Sequence, residues 1–188
     1  MSISEQTTRM LLYPANHHWA PQRSDDVSRV LQDINFITLG DNGDIKAGHA
    51  FNRLISFLGC APSRHTMEAC HIDYEQSGVE ADIITGHNST DPRCPRCRWA
   101  QQDWRDHLDN WRSVHGDTPW QCPVCHHTTT VRQLDWRRGA VIARFTINVW
   151  GIFPAEAVPN EQLLAALAGL SHCPWRYAYL RSAEPTPL

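Results

Sequence analysis

Apolar residues along this chain fall into two rhythms, and each rhythm predicts a different element. Phe51, Leu54, Ile55 and Leu58 recur three and four apart, which predicts a helix over residues 48–58, stopped by Gly59 and Pro62. Leu163, Leu164, Leu167 and Leu170 predict a second helix over residues 160–170, with Asn160 as its N-cap. Val27, Val30 and Leu31 follow Ser24, Asp25 and Asp26, so a short helix capped by Ser24 is expected there, with its acids in the first turn. Residues 10–13 are a short apolar stretch, and strands are expected where β-branched and aromatic residues alternate or cluster: 36–39, 69–74, 140–153 and 175–180. Residues 40–44 have the composition of a turn, and the polar stretch 77–92 reads as a linker. The tail beyond Arg181 holds Pro185 and Pro187 and is expected to fray.

Written in order, the elements echo themselves. Each half reads strand, helix, strand, with Cys60-Ala61-Pro62 after one helix and Cys173-Pro174 after the other. Two such units predict an α+β fold of the ferredoxin-like, split βαβ kind. Residues 1–90 and 139–181 are then its halves, 91–138 an insertion, and 182–188 a flexible tail.

Composition narrows the class. The chain has 188 residues, 41% hydrophobic and 20% charged, with a formal net charge of −3. That is the profile of a folded domain and not of a disordered one. Residues 1–10 lack the apolar core of a signal peptide, and no window reaches the length of a membrane span, which predicts a cytoplasmic protein without a membrane partner. In a reducing compartment, seven cysteines point to metal ligation before disulfides.

Four of those cysteines form matched pairs, Cys94-Pro95-Arg96-Cys97 and Cys122-Pro123-Val124-Cys125. Thiolates at i and i+3 face one point when the backbone turns tightly between them, and two such pairs complete a tetrahedron around Zn2+. The 24 intervening residues leave room for a helix marked by Asp103, Trp104, Leu108 and Trp111, with Gly116 ending the segment. Redox dithiols, disulfides and inert buried thiols are the competing readings; none of them calls for two matched pairs around a helix. The pattern resembles the zinc-ribbon family over residues 91–136. In that family glycine frequently follows each pair, whereas Arg98 and His126 stand there in this chain. The resemblance implies a hairpin with strands over 118–121 and 128–134. Four thiolates leave zinc no open position, so the expected ion is structural.

Charge and aromatics gather around the same cysteines. Residues 93–138 hold eight arginines against five aspartates, a balance of +3, while the remainder holds nine basic against 15 acidic residues, or −6. Five of the eight tryptophans are also there. Arginine beside tryptophan makes either a protein hot spot or a grip on phosphates and bases. The sequence therefore nominates Arg96, Arg98, Trp99, Trp104, Trp111, Arg132, Arg137 and Arg138 as partner-contacting residues, for a protein partner first and a nucleic acid as the alternative. The bland alternative is that the tryptophans simply fill a small core. Signatures of zinc deaminases, zinc proteases, phosphate-binding loops and serine hydrolases are absent. His71 and Asp73, on one strand face, are the remaining candidates for a catalytic pair, with Cys70 beside them and His17, His18, His49, His65 and His172 scattered elsewhere. A non-enzymatic zinc-containing adaptor is the expectation overall.

Overall fold

A computed structural model describes residues 6–40, 44–57, 70–114, 117–152 and 157–183. In chain order the first elements are β1 (Gln6–Pro14), α1 (Ser24–Asp33), β2 (Ile37–Leu39), β3 (Ile45–Ala47), α2 (Phe51–Leu54) and β4 (Ile55–Phe57). Next come β5 (Ile72–Gln76), β6 (Asp82–Thr85), α3 (Trp104–Ser113), β7 (Pro119–Gln121) and β8 (Thr128–Thr130), then a 3-10 turn over Val131–Gln133. The last are β9 (Ala140–Ala143), β10 (Phe145–Trp150), β11 (Ala157–Pro159), α4 (Glu161–Ser171) and β12 (Trp175–Ala183).

The central sheet has four strands in the order β12-β1-β10-β5, every neighbouring pair antiparallel. Strand alternation gives it two faces with different covers. Met10, Leu12, Ile72, Ile147 and Val149 point to one side and share a core with Val27 and Leu31 of α1 and Leu163 and Leu167 of α4. Each of these fully buried side chains contributes on the order of 1.5–3 kcal/mol. Leu11, Ala178 and Leu180 point to the other side, where the β6–β9 hairpin covers them with Ile84, Val141 and Ala143. The same alternation turns Ile83 and Ala140 of that hairpin outward into a third core, that of the cysteine-bearing segment. The β6–β9 pair is thus a shared wall between the sheet and the cysteine-bearing segment.

Several sequence expectations change in three dimensions. The helix over 48–58 is a single turn, α2, after which Ile55–Phe57 pairs with Ala157–Pro159. One turn already buries Phe51 and Leu54, and pairing with β11 satisfies the backbone that a longer helix would have satisfied internally. The segment 77–92 is not simply a linker, because β6 lies within it and pairs with β9. The long strand over 140–153 is two strands in two sheets. Arg144 separates them: its N–H donates to His17 O at 2.9 Å, its carbonyl accepts from Ser77 N at 2.9 Å, and its Nε donates to Gly78 O at 2.8 Å. Helix α1 begins at Ser24 itself, so Arg23 occupies the N-cap and no side chain caps it. The predicted stop at Gly59 and Pro62, Cys60, His65, the helix end at Gly116, the middle of the 40–44 turn and the last five residues lie outside the described residues.

Asn160 behaves as expected and does more. Its Oδ1 accepts from Leu163 N at 3.0 Å, capping α4, while its own N–H and Nδ2 donate to Leu54 O and Arg53 O at 2.9 Å. One side chain thereby caps the start of α4 and the end of α2 together. The outer edge of β12 is closed by Asn88, which donates to Tyr179 O at 3.0 Å and accepts from Arg181 N at 2.8 Å. Gly86 permits that approach, since a Cβ there would sit 2.7 Å from Arg181 O.

Candidate metal centre

Two short turns build the site in the same way. In the first, Cys94 N–H donates to Trp99 O at 2.8 Å and Arg98 N–H to Cys94 O at 3.0 Å. In the second, Cys122 N–H donates to His127 O and His126 N–H to Cys122 O, both at 3.0 Å. Closing each turn requires a left-handed residue after the second cysteine, and Arg98 (φ 67°) and His126 (φ 55°) supply it. The positions where glycine is frequent in ribbons are therefore left-handed here too, without glycine. That conformation costs a non-glycine residue about 1–2 kcal/mol.

The four sulfurs converge. Cys94 Sγ lies 3.7 Å from Cys125 Sγ, Cys97 Sγ lies 3.5 Å from Cys122 Sγ, and all four ligand atoms fall within 4.8 Å of one another. A tetrahedron with zinc–sulfur bonds of about 2.3 Å has sulfur–sulfur edges of about 3.8 Å, so the spacing fits a zinc-sized ion. A disulfide needs a separation of about 2.05 Å, which no pair meets. Cys94 and Cys122 are buried and Cys97 is exposed. Burial works to raise the Cys122 thiol, but the N–H groups of Cys125 and Val124 and the neighbouring thiols outweigh it and bring it down to about 7. At Cys97 the N–H of Trp99 favours the thiolate, yet burial and the three other thiols push it up to about 12. Each thiolate at this separation disfavours the next, and a cation among them would relieve that repulsion. Among the described residues this is the one grouping of three or more Cys, His, Asp or Glu with metal-holding geometry; His126 and His127 are not part of it.

The segment around the site has a small aromatic core. Trp136 meets Trp104 edge-on at 5.4 Å and Trp111 at 6.2 Å, with Ile83, Val131, Leu134 and Ala140 around them. The indole Nε1 groups donate to Asp91 Oδ1 from Trp104 and to Val131 O from Trp136, both at 3.1 Å. β7 and β8 form the expected hairpin, Pro119 to Gln121 against Thr130 to Thr128, although the second strand ends at Thr130 and a 3-10 turn follows. Gln133 Oε1 holds that turn, accepting from Thr129 Oγ1 at 2.6 Å.

The nominated partner residues separate into two groups. Trp104 and Trp111 are 1% and 5% exposed, so they pack the module and offer no surface. Arg132, with its side chain 8% exposed, faces Asp117 at 3.3 Å and Glu80 at 3.9 Å and ties the hairpin to the β5–β6 connection. Arg96, Arg98, Arg137 and Arg138 are exposed, and Trp99 is half-buried against Trp120 at 6.3 Å. Sequence reasoning missed the residues that dock the module. Arg112 Nε donates to Ile83 O at 2.9 Å, Arg105 to Ser89 O at 2.8 Å, and Asp135 accepts from Arg98 at 2.6 Å and from Arg137 N at 3.0 Å. Only Asp135 carried a signal, an Asp two residues before the amide it accepts from.

Both oxygens of Asp73 are taken, one by Asn148 Nδ2 at 2.6 Å and one by Trp150 Nε1 at 2.7 Å. The His71 ring stacks on Trp150 at 5.5 Å, and Arg9 lies over the same indole at 5.1 Å. These groups form a polar network that satisfies the buried Asn148 and Trp150 on the sheet's second face. Among the described residues no helix is long and apolar enough to cross a membrane. Comparison with family models, with curated proteins and with solved structures finds no match to this chain.

Proposed function

We propose that this protein is a non-enzymatic, zinc-dependent binding module: an α+β body carrying a four-cysteine zinc ribbon that recognises a partner. The observation that carries the reading is the convergence of Cys94, Cys97, Cys122 and Cys125 from two turns of identical hydrogen-bonding pattern. Four thiolates saturate zinc, so the ion acts as a cross-link and supplies no reactive position. The hairpin of β7 and β8 beside the doubled pairs supports the zinc-ribbon resemblance.

The body is read as ferredoxin-like. Numbering only the sheet's four strands in chain order, β12-β1-β10-β5 becomes 4-1-3-2, with α1 between the first and second strands and α4 between the third and fourth; that is the split βαβ order. Residues 91–138 are then an insertion between the halves 1–90 and 139–181, with β6 and β9 as the stalk that seats it. An insertion that displays arginines, on a host sheet whose Asp73 is held by Asn148 and Trp150, is suited to an adaptor.

The test is metal content followed by chelation. Purified protein is expected to hold one zinc per chain, and a strong chelator is expected to shift tryptophan emission to the red as Trp104, Trp111 and Trp136 gain water. A metal-free protein with unchanged tryptophan emission overturns the reading.

A further inference from the structure

The fold leaves a specific set of arginines unused. Arg105, Arg112 and Arg132 dock the ribbon, and Arg98 is paired with Asp135. Arg96, Arg137, Arg138 and, on the body, Arg176 are exposed, and among the described residues none of them has a carboxylate within ion-pair distance.

Arg137 and Arg138 are also held in an unusual way. Both have positive φ, 49° and 63°, and Gly139 N–H donates to Trp136 O at 2.7 Å, so they are the two central residues of a tight turn of the I′ kind. Asn-Gly is the unstrained sequence for that turn. Two arginines there cost backbone strain that Asn-Gly would avoid. The turn is rigid, because Trp136 before it is 5% exposed and Asp135 Oδ1 holds the Arg137 amide. On the body side, Arg176 stands opposite Tyr13 in the β1–β12 register, and the charges of both Arg176 and Arg138 act on the Tyr13 hydroxyl. Arg138 of the ribbon and Arg176 of the sheet therefore act on the same group. Trp99, half-buried, lies beside the first cysteine turn.

Unpaired guanidinium groups on a rigid support, together with an aromatic ring, match a chain of phosphates bearing bases. We infer that the Arg137–Arg138 turn, with Arg96 and Arg176, binds the phosphate backbone of single-stranded nucleic acid, and that Trp99 stacks on a base. This deepens the binding role proposed above and rests on it, since the turn keeps its shape only on a folded ribbon.

The experiment follows zinc-loaded full-length protein with fluorescein-labelled oligodeoxythymidylate by anisotropy over rising salt, with a duplex of equal length and polyglutamate as comparisons. Affinity is expected to fall linearly on a log–log plot, at about 0.7 per phosphate for a single strand. The double substitution Arg137→Asn with Arg138→Gly removes both charges and installs the unstrained turn. It is expected to raise the melting temperature while reducing the salt slope by about 1.4, two phosphates' worth. Trp99→Ala is expected to weaken single-strand binding by roughly tenfold, the loss of one base stack. The inference is overturned if zinc-loaded protein binds no oligonucleotide, if the double variant keeps the parental slope, or if the duplex binds as tightly as the single strand. Displacement by polyglutamate at equal charge also overturns it, because the partner is then an acidic protein. Zinc content and tryptophan emission of the same sample separate the two levels: a folded, zinc-loaded protein that fails to bind defeats this inference alone.

Discussion

The body and the ribbon are stabilised by different means, although they share the β6–β9 hairpin. The body's core runs continuously from α1 and α4 through the sheet, built from long aliphatic side chains and Phe36, Phe51 and Phe145, several with no exposure at all. The ribbon has three buried indoles, a few aliphatics and two turns that meet at the sulfur cluster and through Trp99 on Trp120. A core that small buries too little area to offset chain entropy, so on the proposed reading one region is held by area and the other by a metal cross-link.

The largest expected effect breaks the ribbon and spares the body. Cys122→Ser, or zinc removal, forfeits a metal contribution on the order of 10–16 kcal/mol. Tryptophan emission should move red while far-UV circular dichroism keeps the signal of the body; simultaneous loss of all secondary structure would show that the two regions are one cooperative unit. Next in size is Trp136→Ala, expected to cost about 3–5 kcal/mol because it unseats both neighbouring indoles. It should appear as weaker zinc retention in a chelator competition, and unaltered retention would mean that the ribbon's aromatic core is dispensable. Leu167→Ala is the mirror test, about 2–5 kcal/mol lost from the body with zinc affinity unchanged. Asn160→Ala should cost about 1–2 kcal/mol in urea unfolding, at the upper end for a cap because Arg53 O of α2 also loses its donor. The smallest effect is His126→Gly, which relieves left-handed strain and should raise the melting temperature by the equivalent of about 1 kcal/mol. A drop instead would mean that the imidazole supports the second cysteine turn.

Legibility in the sequence followed the range of the interactions. The cysteine turns were readable because each is closed by hydrogen bonds across five residues, and the ligand spacing is local. Helix α4 and its Asn160 cap were readable for the same reason. The failures were mostly non-local, the Ser24 cap of α1 being a local one. Residues 55–58 continue a helical rhythm, yet Ile55–Phe57 pairs with a strand about a hundred positions away. Asp82–Thr85 has too little apolar rhythm to announce a strand, and acquires one by pairing with Ala140–Ala143 across the whole ribbon. Likewise, the nomination of Trp104 and Trp111 as contacts failed because sequence gives an indole's presence but not the direction it points.

The chain's own spelling determined the four cysteines that could hold a metal, the two turns that present them, and the charge contrast between residues 93–138 and the rest, since each depends on residue type and short spacing. Tertiary structure alone decided which arginines were spent on docking and which stayed free, and how Arg144 divides one apolar run between two sheets. Those outcomes hinge on which distant backbone groups come within hydrogen-bonding range, and a separation in space of that kind has no counterpart in a separation along the chain.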